Sequence, residues 1–472
     1  MTKQHLLLST LLLCLSLSGG AQTAPPALIL PDTPVGKAVS LFVKALNSGS
    51  LQELQKFHTD RGGDAGMADG DLNFYQQSGG LDFLKVAKST DFEIDIESKT
   101  RKGGRPVVLH FAVERTPPYT VADIGVRPLG GGPGPGAGGP EAAPRAAGDI
   151  IGGAPAVIDE AVAAGFSGVI LVAKDGQIAI ERAAGFANRG FDVKNQIDTK
   201  FNLGSINKTF TRLAIAQLVE AGKLSFDDKL GRFLPEFPNA DAAAKVTVSH
   251  LLEMKSGIGD FFGREFDATP KDRIRKLADY LPFFSAKPLA FEPGTAEAYS
   301  NGGYVTLGLI IEKVSGQSYY DYVREHIYKP AGMTNTDAFE VDAIVPNLAV
   351  GYTKRGKTEL SSNVYTLPAR GSSAGGGYST AHDLLKYAEA VVANRLASPA
   401  YTAWYLGGPQ PVKGGAPRPD GPMRGGLGVA GGSPGVNGVL ELNAAQRLVI
   451  VVLANDDPPA AEAIARKIRL GR

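Results

Sequence analysis

Apolar side chains recur at helical spacing across residues 36–60, with Val39, Phe42, Val43, Leu46, Leu51, Leu54 and Phe57 on the faces a core would cover. Residues 81–87 read as a further short helix. The period then drops to two. Residues 92–97 and 106–114 alternate apolar and polar positions, as half-buried strands do, and 119–128 reads as a last strand. Helices followed by strands predict a small α+β domain over residues 32–128. Residues 129–147 (LGGGPGPGAGGPEAAPRAA) carry no periodicity and little that a core could use, so they read as a flexible linker.

A second pattern runs from residue 149 to residue 472. A helix is expected at 154–164, then two strands at 168–173 and 177–182 joined through Asp175-Gly176, a hairpin signal. Residues 186–197 read as loop. Phe210, Leu213, Ala214, Leu218 and Val219 repeat at helical spacing, which starts a helix near Ser205. Further helices are expected at 246–254, ended by Gly257, at 303–315 with 319–326, and at 382–394. Residues 438–442 and 446–454 read as strands and 460–470 as a closing helix. Strands at both ends with helices between them predict a sheet whose N- and C-terminal segments pair, flanked by a helical region.

The length of 472 residues suits two domains or three. A content of 43% hydrophobic and 21% charged residues is that of an ordinary globular protein, and a net charge of +1 leaves no footprint for a nucleic-acid partner. Residues 1–21 read as a secretory signal. Lys3 and His5 form a polar start, residues 6–17 are apolar but for Ser and Thr, and Gly19 and Ala21 suit cleavage before Gln22. The run is shorter than the roughly 20 residues of a membrane span. Leu13 is too large for the residue before a lipidated cysteine at Cys14. That cysteine is the only one, so a chain processed beyond it has no disulfide and no thiol nucleophile. The expectation is an exported protein, periplasmic or secreted, with no membrane span; oligomeric state is not encoded in any recognisable pattern.

The candidate chemistry centres on Ser205 and Lys208. Three residues apart on a helical turn, their side chains share a face. A serine hydroxyl is a poor nucleophile until a base takes its proton. Lysine becomes such a base when burial and the positive end of a helix dipole disfavour its ammonium form. The first N–H groups of the same helix are available to an oxyanion. Taken alone, Ser-x-x-Lys is a chance match far more often than a catalytic pair, and a serine at a helix start is usually a cap. Tyr299-Ser300-Asn301 adds to it, because a phenol near the serine can relay its proton and an asparagine amide can hold a substrate carbonyl.

Several phrases fall in one order over most of residues 155–455. They begin with Phe166-Ser167-Gly168-Val169, Lys174-Asp175-Gly176 and Phe201-Asn202-Leu203-Gly204-Ser205-Ile206-Asn207-Lys208. Val246-Thr247-Val248-Ser249-His250-Leu251-Leu252 follows with Ser256-Gly257, then Phe291-Glu292-Pro293-Gly294 with the Tyr299 triplet. Gly332-Met333-Thr334-Asn335-Thr336 and Ala374-Gly375-Gly376-Gly377-Tyr378-Ser379-Thr380 with Asp383-Leu384 complete the set. In these phrases the chain resembles the class C serine β-lactamases and the related penicillin-recognising D,D-peptidases and esterases.

The resemblance implies a β-lactamase/transpeptidase-like α+β domain over 149–472 and an acyl-enzyme mechanism without a cofactor. Ser205 would attack a carbonyl, and Lys208 with Tyr299 would jointly manage its proton, since the acylating base of Ser-x-x-Lys enzymes is disputed. Asn301 would bind substrate. The family's third motif puts Lys-Thr-Gly or His-x-Gly on the strand facing the serine, and the corresponding run is Val429-Ala430-Gly431-Gly432-Ser433-Pro434-Gly435-Val436-Asn437. Val429 stands where Lys or His is expected. Gly431 and Gly432 remain, with Gly432 the candidate oxyanion donor. Unless Arg424 or another side chain supplies the missing charge, esters or uncharged amides fit better than β-lactams and carboxylate-bearing peptides. Near the N-terminus, Phe42-Val43-Lys44-Ala45-Leu46-Asn47-Ser48-Gly49 resembles the first helix of SnoaL-like cone-shaped rolls, over that helix alone.

Other candidates fall away. Gly371-Ser372-Ser373-Ala374-Gly375 matches the Gly-x-Ser-x-Gly elbow, but that fold needs a histidine well downstream and the last one here is His382. Ser373 therefore reads as a loop residue near the pocket. His58 and Asp60 read as surface residues, and His250 as part of a structural helix. His58, His110, His250, His326 and His382 show no metal-ligand spacing, so no metal is expected. The expected partner is a small-molecule or peptide-like ester or amide. The competing reading is a weakened β-lactamase-like binding protein with a cell-wall or protein partner. The joint presence of Ser205, Lys208, Tyr299 and Asn301 favours the enzyme.

Overall fold

The computed structural model describes residues 28–61, 67–113, 117, 119–128, 147–354, 359–411 and 425–471. The expected signal at 1–21, all but the last residue of the expected linker, and Arg424 lie outside the described residues. The chain divides into two compact units, Met1–Gly131 and Gly132–Arg472.

In the first unit, helices α1 (Pro34–Ser48), α2 (Leu51–Asp60) and α3 (Met67–Ser78) precede strands β1 (Leu81–Ser89), β2 (Glu93–Thr100), β3 (Pro106–Val113) and β4 (Val121–Pro128). The strands form an antiparallel sheet in sequence order. The Thr33 hydroxyl accepts the Gly36 N–H to start α1, and Gly49 in the left-handed region ends it. Val39, Phe42 and Leu46 of α1 pack on Ile94, Ile96, Leu109 and Phe111, the alternate residues of β2 and β3.

Two expectations fail in this unit. Residues 81–87 are strand, not helix. The pairing of β1 with β2 shifts register between Phe83 and Lys85 and again between Val86 and Lys88. Each bulge adds one residue to the alternation, so the apolar spacing lost its period of two. His58 is not a surface residue either: it is buried beside Phe57, and its Nε2 lies 2.6 Å from Asp71 Oδ2. Asp60 pairs instead with Lys56 one helical turn earlier.

The second unit is built on strands β5 (Gly168–Lys174) and β6 (Gln177–Ala184), and on β7 (Gly426–Ser433), β8 (Val436–Asn443) and β9 (Leu448–Ala454) near the C-terminus. Their order is β7-β8-β9-β5-β6, antiparallel throughout, so the first and last segments meet at the centre, with Leu171 opposite Val451. Helices α4 (Ala147–Ala163) and α8 (Ala460–Leu470) cover one face. Ile158, Ile464 and Ile468 sit there on Ile170, Val172, Ile450 and Val452. Val169, Leu171, Val451 and Leu453 point the other way, into a larger core with α5 (Lys208–Glu220), α6 (Asn301–Ser315) and α7 (Ala381–Val392). Burial on both faces is why these central strands read as unbroken apolar runs. Residues 186–197, expected as loop, contain two short paired strands, Phe186–Asn188 and Val193–Lys194. The helix at 154–164 starts earlier, at Ala147.

Candidate active site

Ser205 lies in a 3-10 turn, Gly204–Asn207, that runs directly into α5. The helix proper begins at Lys208 rather than near Ser205. Gly204 makes the turn with φ +49° while its N–H donates to the Asn202 side-chain oxygen at 2.9 Å. This turn is pressed against β7. A Cβ on Gly431 would stand 2.0 Å from the Leu203 carbonyl oxygen and 2.7 Å from the Ser205 nitrogen. A Cβ on Gly204 would stand 2.8 Å from the Gly432 nitrogen. Only bare backbone fits between strand and turn, and that brings the Gly431-Gly432 peptides beside the Ser205 N–H.

Lys208, buried on the first turn of α5, reaches back to Ser205. Its Nζ lies 3.2 Å from Ser205 Oγ, 2.6 Å from Asn301 Oδ1 and 2.5 Å from the Ala374 carbonyl oxygen. Burial pulls the lysine pKa down to about 7, against the opposing field of the Asp260 carboxylate. Its Nζ also stands 4.7 Å from the Tyr299 ring centroid and 5.5 Å from that of Tyr304.

Tyr299 closes the group, its hydroxyl 2.6 Å from Ser205 Oγ. The residue is 45% exposed overall, and its hydroxyl end meets Ser205. Desolvation there raises its pKa to about 12, with the Ser205 hydrogen bond opposing the rise. Asn301 opens α6. Ser300 caps this helix by accepting the Gly303 N–H at 2.8 Å and donates to the Gly259 carbonyl at 3.1 Å, which ties helix to loop. The Asn301 amide is buried and held at both ends, its oxygen by Lys208 and its nitrogen by Asp260 Oδ2 at 2.6 Å.

The 371–377 loop supplies the third face. Asn207 donates to the Ser372 carbonyl at 2.8 Å and Thr211 to that of Ser373 at 2.7 Å, which places the Ala374 carbonyl on Lys208. Ser373 itself is fully buried and donates to the Tyr304 carbonyl at 2.8 Å. It faces away from any nucleophilic role. His250 caps the short helix Val248–Leu252 through its ring.

The structure thus gathers Ser205, Lys208, Tyr299, Asn301, Gly431 and Gly432 in one place. Val429, two residues before Gly431, lies half-buried on the same face of β7 and packs with Leu427 against the larger core, whereas Ala430 turns to the opposite face. Asp260 and the Ala374 carbonyl escaped the sequence reading. Ala374 acts through its backbone and carries no side-chain signal, while Asp260 stood only beside the Ser256-Gly257 phrase. Among the described residues no group of His, Cys, Asp and Glu could hold a metal ion.

The chain is 32% identical over 234 residues to the putative penicillin-binding protein PbpX of Bacillus subtilis (strain 168), covering 50% of this chain and 57% of that protein. It is 35% identical over 208 residues to penicillin-binding protein 4* of the same organism, covering 43% and 44%. The chain thus spans about half the length of these curated relatives. A penicillin-binding protein of Bacillus halodurans superposes with a TM-score of 0.59 at 32% identity, covering 67% of this chain and 99% of that one. The family model described as Beta-lactamase matches residues 155–471, and the chain belongs to that family of serine hydrolases.

Proposed function

We propose that the protein is an exported hydrolase that cleaves esters or uncharged amides through an acyl-enzyme on Ser205. The observation that carries this reading is the placement of Ser205 Oγ between Lys208 Nζ at 3.2 Å and the Tyr299 hydroxyl at 2.6 Å. A neutral lysine has two N–H groups and one lone pair. Two carbonyl oxygens, those of Asn301 and Ala374, take the N–H groups at 2.6 and 2.5 Å. The lone pair is left for the third neighbour, Ser205. A pKa of about 7 makes the neutral form abundant at neutral pH.

In the acylation step the Ser205 O–H proton passes to Lys208 as Oγ forms a bond to the substrate carbonyl carbon. The carbonyl π electrons move onto oxygen, which the N–H groups of Ser205 and Gly432 receive. On collapse the leaving alkoxide or amine takes a proton from Lys208, relayed by the Tyr299 phenol. With a pKa of about 12 the phenol stays protonated and serves as a shuttle, not as the primary base. Water then attacks the acyl-enzyme by the same groups in reverse order. Asn301 sets the lysine and has one amide N–H beyond its bond to Asp260 with which to meet the substrate.

Val429 supports the substrate class. With an apolar side chain where the family places a cation, the site lacks a β7 partner for a substrate carboxylate. Export is supported by the polar start and apolar run of residues 1–21. The test is intact-mass labelling of the purified protein with a fluorophosphonate, followed by peptide mapping and an ester screen. One adduct on Ser205 is expected; a folded protein with no adduct there overturns the reading.

A further inference from the structure

Asp260 lies on the loop before the exposed Phe262, outside every phrase that located the site. Its two carboxylate oxygens have separate tasks. Oδ1 accepts the Phe262 backbone N–H at 3.0 Å, and Oδ2 accepts the Asn301 amide N–H at 2.6 Å. The loop itself is pinned to the start of α6, where a Cβ on Gly302 would stand 2.4 Å from the Gly259 carbonyl oxygen. The carboxylate therefore has a fixed position relative to Asn301.

An asparagine amide can sit either way round, and only its partners decide which end faces where. An ionised carboxylate accepts and never donates. Asp260 therefore forces the amide nitrogen toward itself, and the amide oxygen toward Lys208. We propose that Asp260 is a positioning residue of the Ser205 site, acting through Asn301 to keep a hydrogen-bond acceptor against Lys208. Without it the amide is free to turn, and a turned amide would point N–H groups at the lysine where an acceptor is needed. The lysine lone pair would then be drawn off Ser205. This inference rests on the acyl-enzyme reading.

Among the described residues the groups around Lys208 are few. The Tyr299 and Tyr304 rings flank it, and Asp260 opposes the effect of burial on it. Arg212, one turn further along α5, is turned to the Trp404 ring at 4.5 Å. Loss of the Asp260 charge therefore shifts the lysine toward its neutral form and moves the acid limb of kcat/KM to lower pH.

The experiment compares Asp260→Asn with the unaltered protein on one neutral ester, and repeats the substitution in an Asn301→Ala background. Asparagine offers one acceptor where aspartate offers two, so either the loop N–H or Asn301 loses its partner. Expected are a fall in kcat of at least about tenfold with KM changed by less than about threefold, and an acid limb displaced downward. In the Asn301→Ala background the same substitution should cost less than about threefold, since the path runs through that amide. Asp260→Ser, whose hydroxyl can still accept the loop N–H, is the second variant should the first prove unstable. An unmoved acid limb, or an equal loss with and without Asn301, overturns the proposal. Fluorophosphonate labelling of the unaltered protein separates the cases: no Ser205 adduct defeats the acyl-enzyme reading itself, whereas a labelled enzyme indifferent to Asp260 defeats only this inference.

Discussion

The Tyr299 hydroxyl lies 2.6 Å from Ser205 Oγ across 94 residues of sequence. That contact is shorter than the one from Lys208, yet the two neighbours differ in what they can do with a proton. Near pH 7 the lysine is close to its own pKa and the tyrosine is far below its pKa of about 12. Tyr299→Phe removes the shuttle and leaves the base. It should lower kcat by roughly 100-fold for an ester with a poor leaving group, and by less when the leaving group needs no proton. Equal losses for nitrophenyl and alkyl esters would count against the shuttle role.

Ser205→Ala should abolish turnover, and Ser373→Ala should leave most of it. The Ser373 hydroxyl is spent on the Tyr304 carbonyl in the core. Its removal should cost about 1 kcal/mol of stability, visible as a lower Tm with kcat nearly unchanged. A dead Ser373→Ala protein that remains folded would reassign the nucleophile.

The pH dependence follows from Lys208. Its pKa is lowered, so the neutral, proton-accepting form is lost as pH falls through about 7. For a neutral ester kcat/KM should rise with pH, reach half its plateau near 7, and stay level until well into the alkaline range. A limb near the ordinary lysine value would mean that the amine is not desolvated in solution.

Val429 predicts selectivity. Short acyl esters should be cleaved far better than a chromogenic cephalosporin, whose carboxylate finds no cation on β7. Val429→Lys, with its ammonium reaching out from a half-buried stem, should shift the ratio toward the cephalosporin by about tenfold, the worth of one charge-assisted hydrogen bond. Equal or better cephalosporin cleavage by the unaltered protein would remove Val429 from the argument.

Apolar periodicity and glycine turns reached the α+β class, while the candidate side chains came from the spacings Ser205-x-x-Lys208 and Tyr299-x-Asn301 read together with the family resemblance. These are local properties, set by how consecutive residues face a core or share a helical turn. The order of the sheet was partly legible, because strands at both ends of the second pattern with helices between them pointed to pairing of the terminal segments, as β5 and β9 do. Where the pattern was broken locally, the reading failed. The two bulges of β1 disguised a strand as a helix, and the pairing of His58 with Asp71 drew a polar ring into a core.

Tertiary structure decided the rest. The Ala374 carbonyl reaches Lys208 and the Asp260 carboxylate reaches Asn301 from segments distant in sequence, and the first of these is a main-chain atom. Main-chain groups are common to every residue, so no composition or spacing marks the one that will be used. The lysine's low pKa has the same origin. It is a property of burial among α6, the 371–377 loop and Tyr299, and no stretch of sequence near Lys208 contains it.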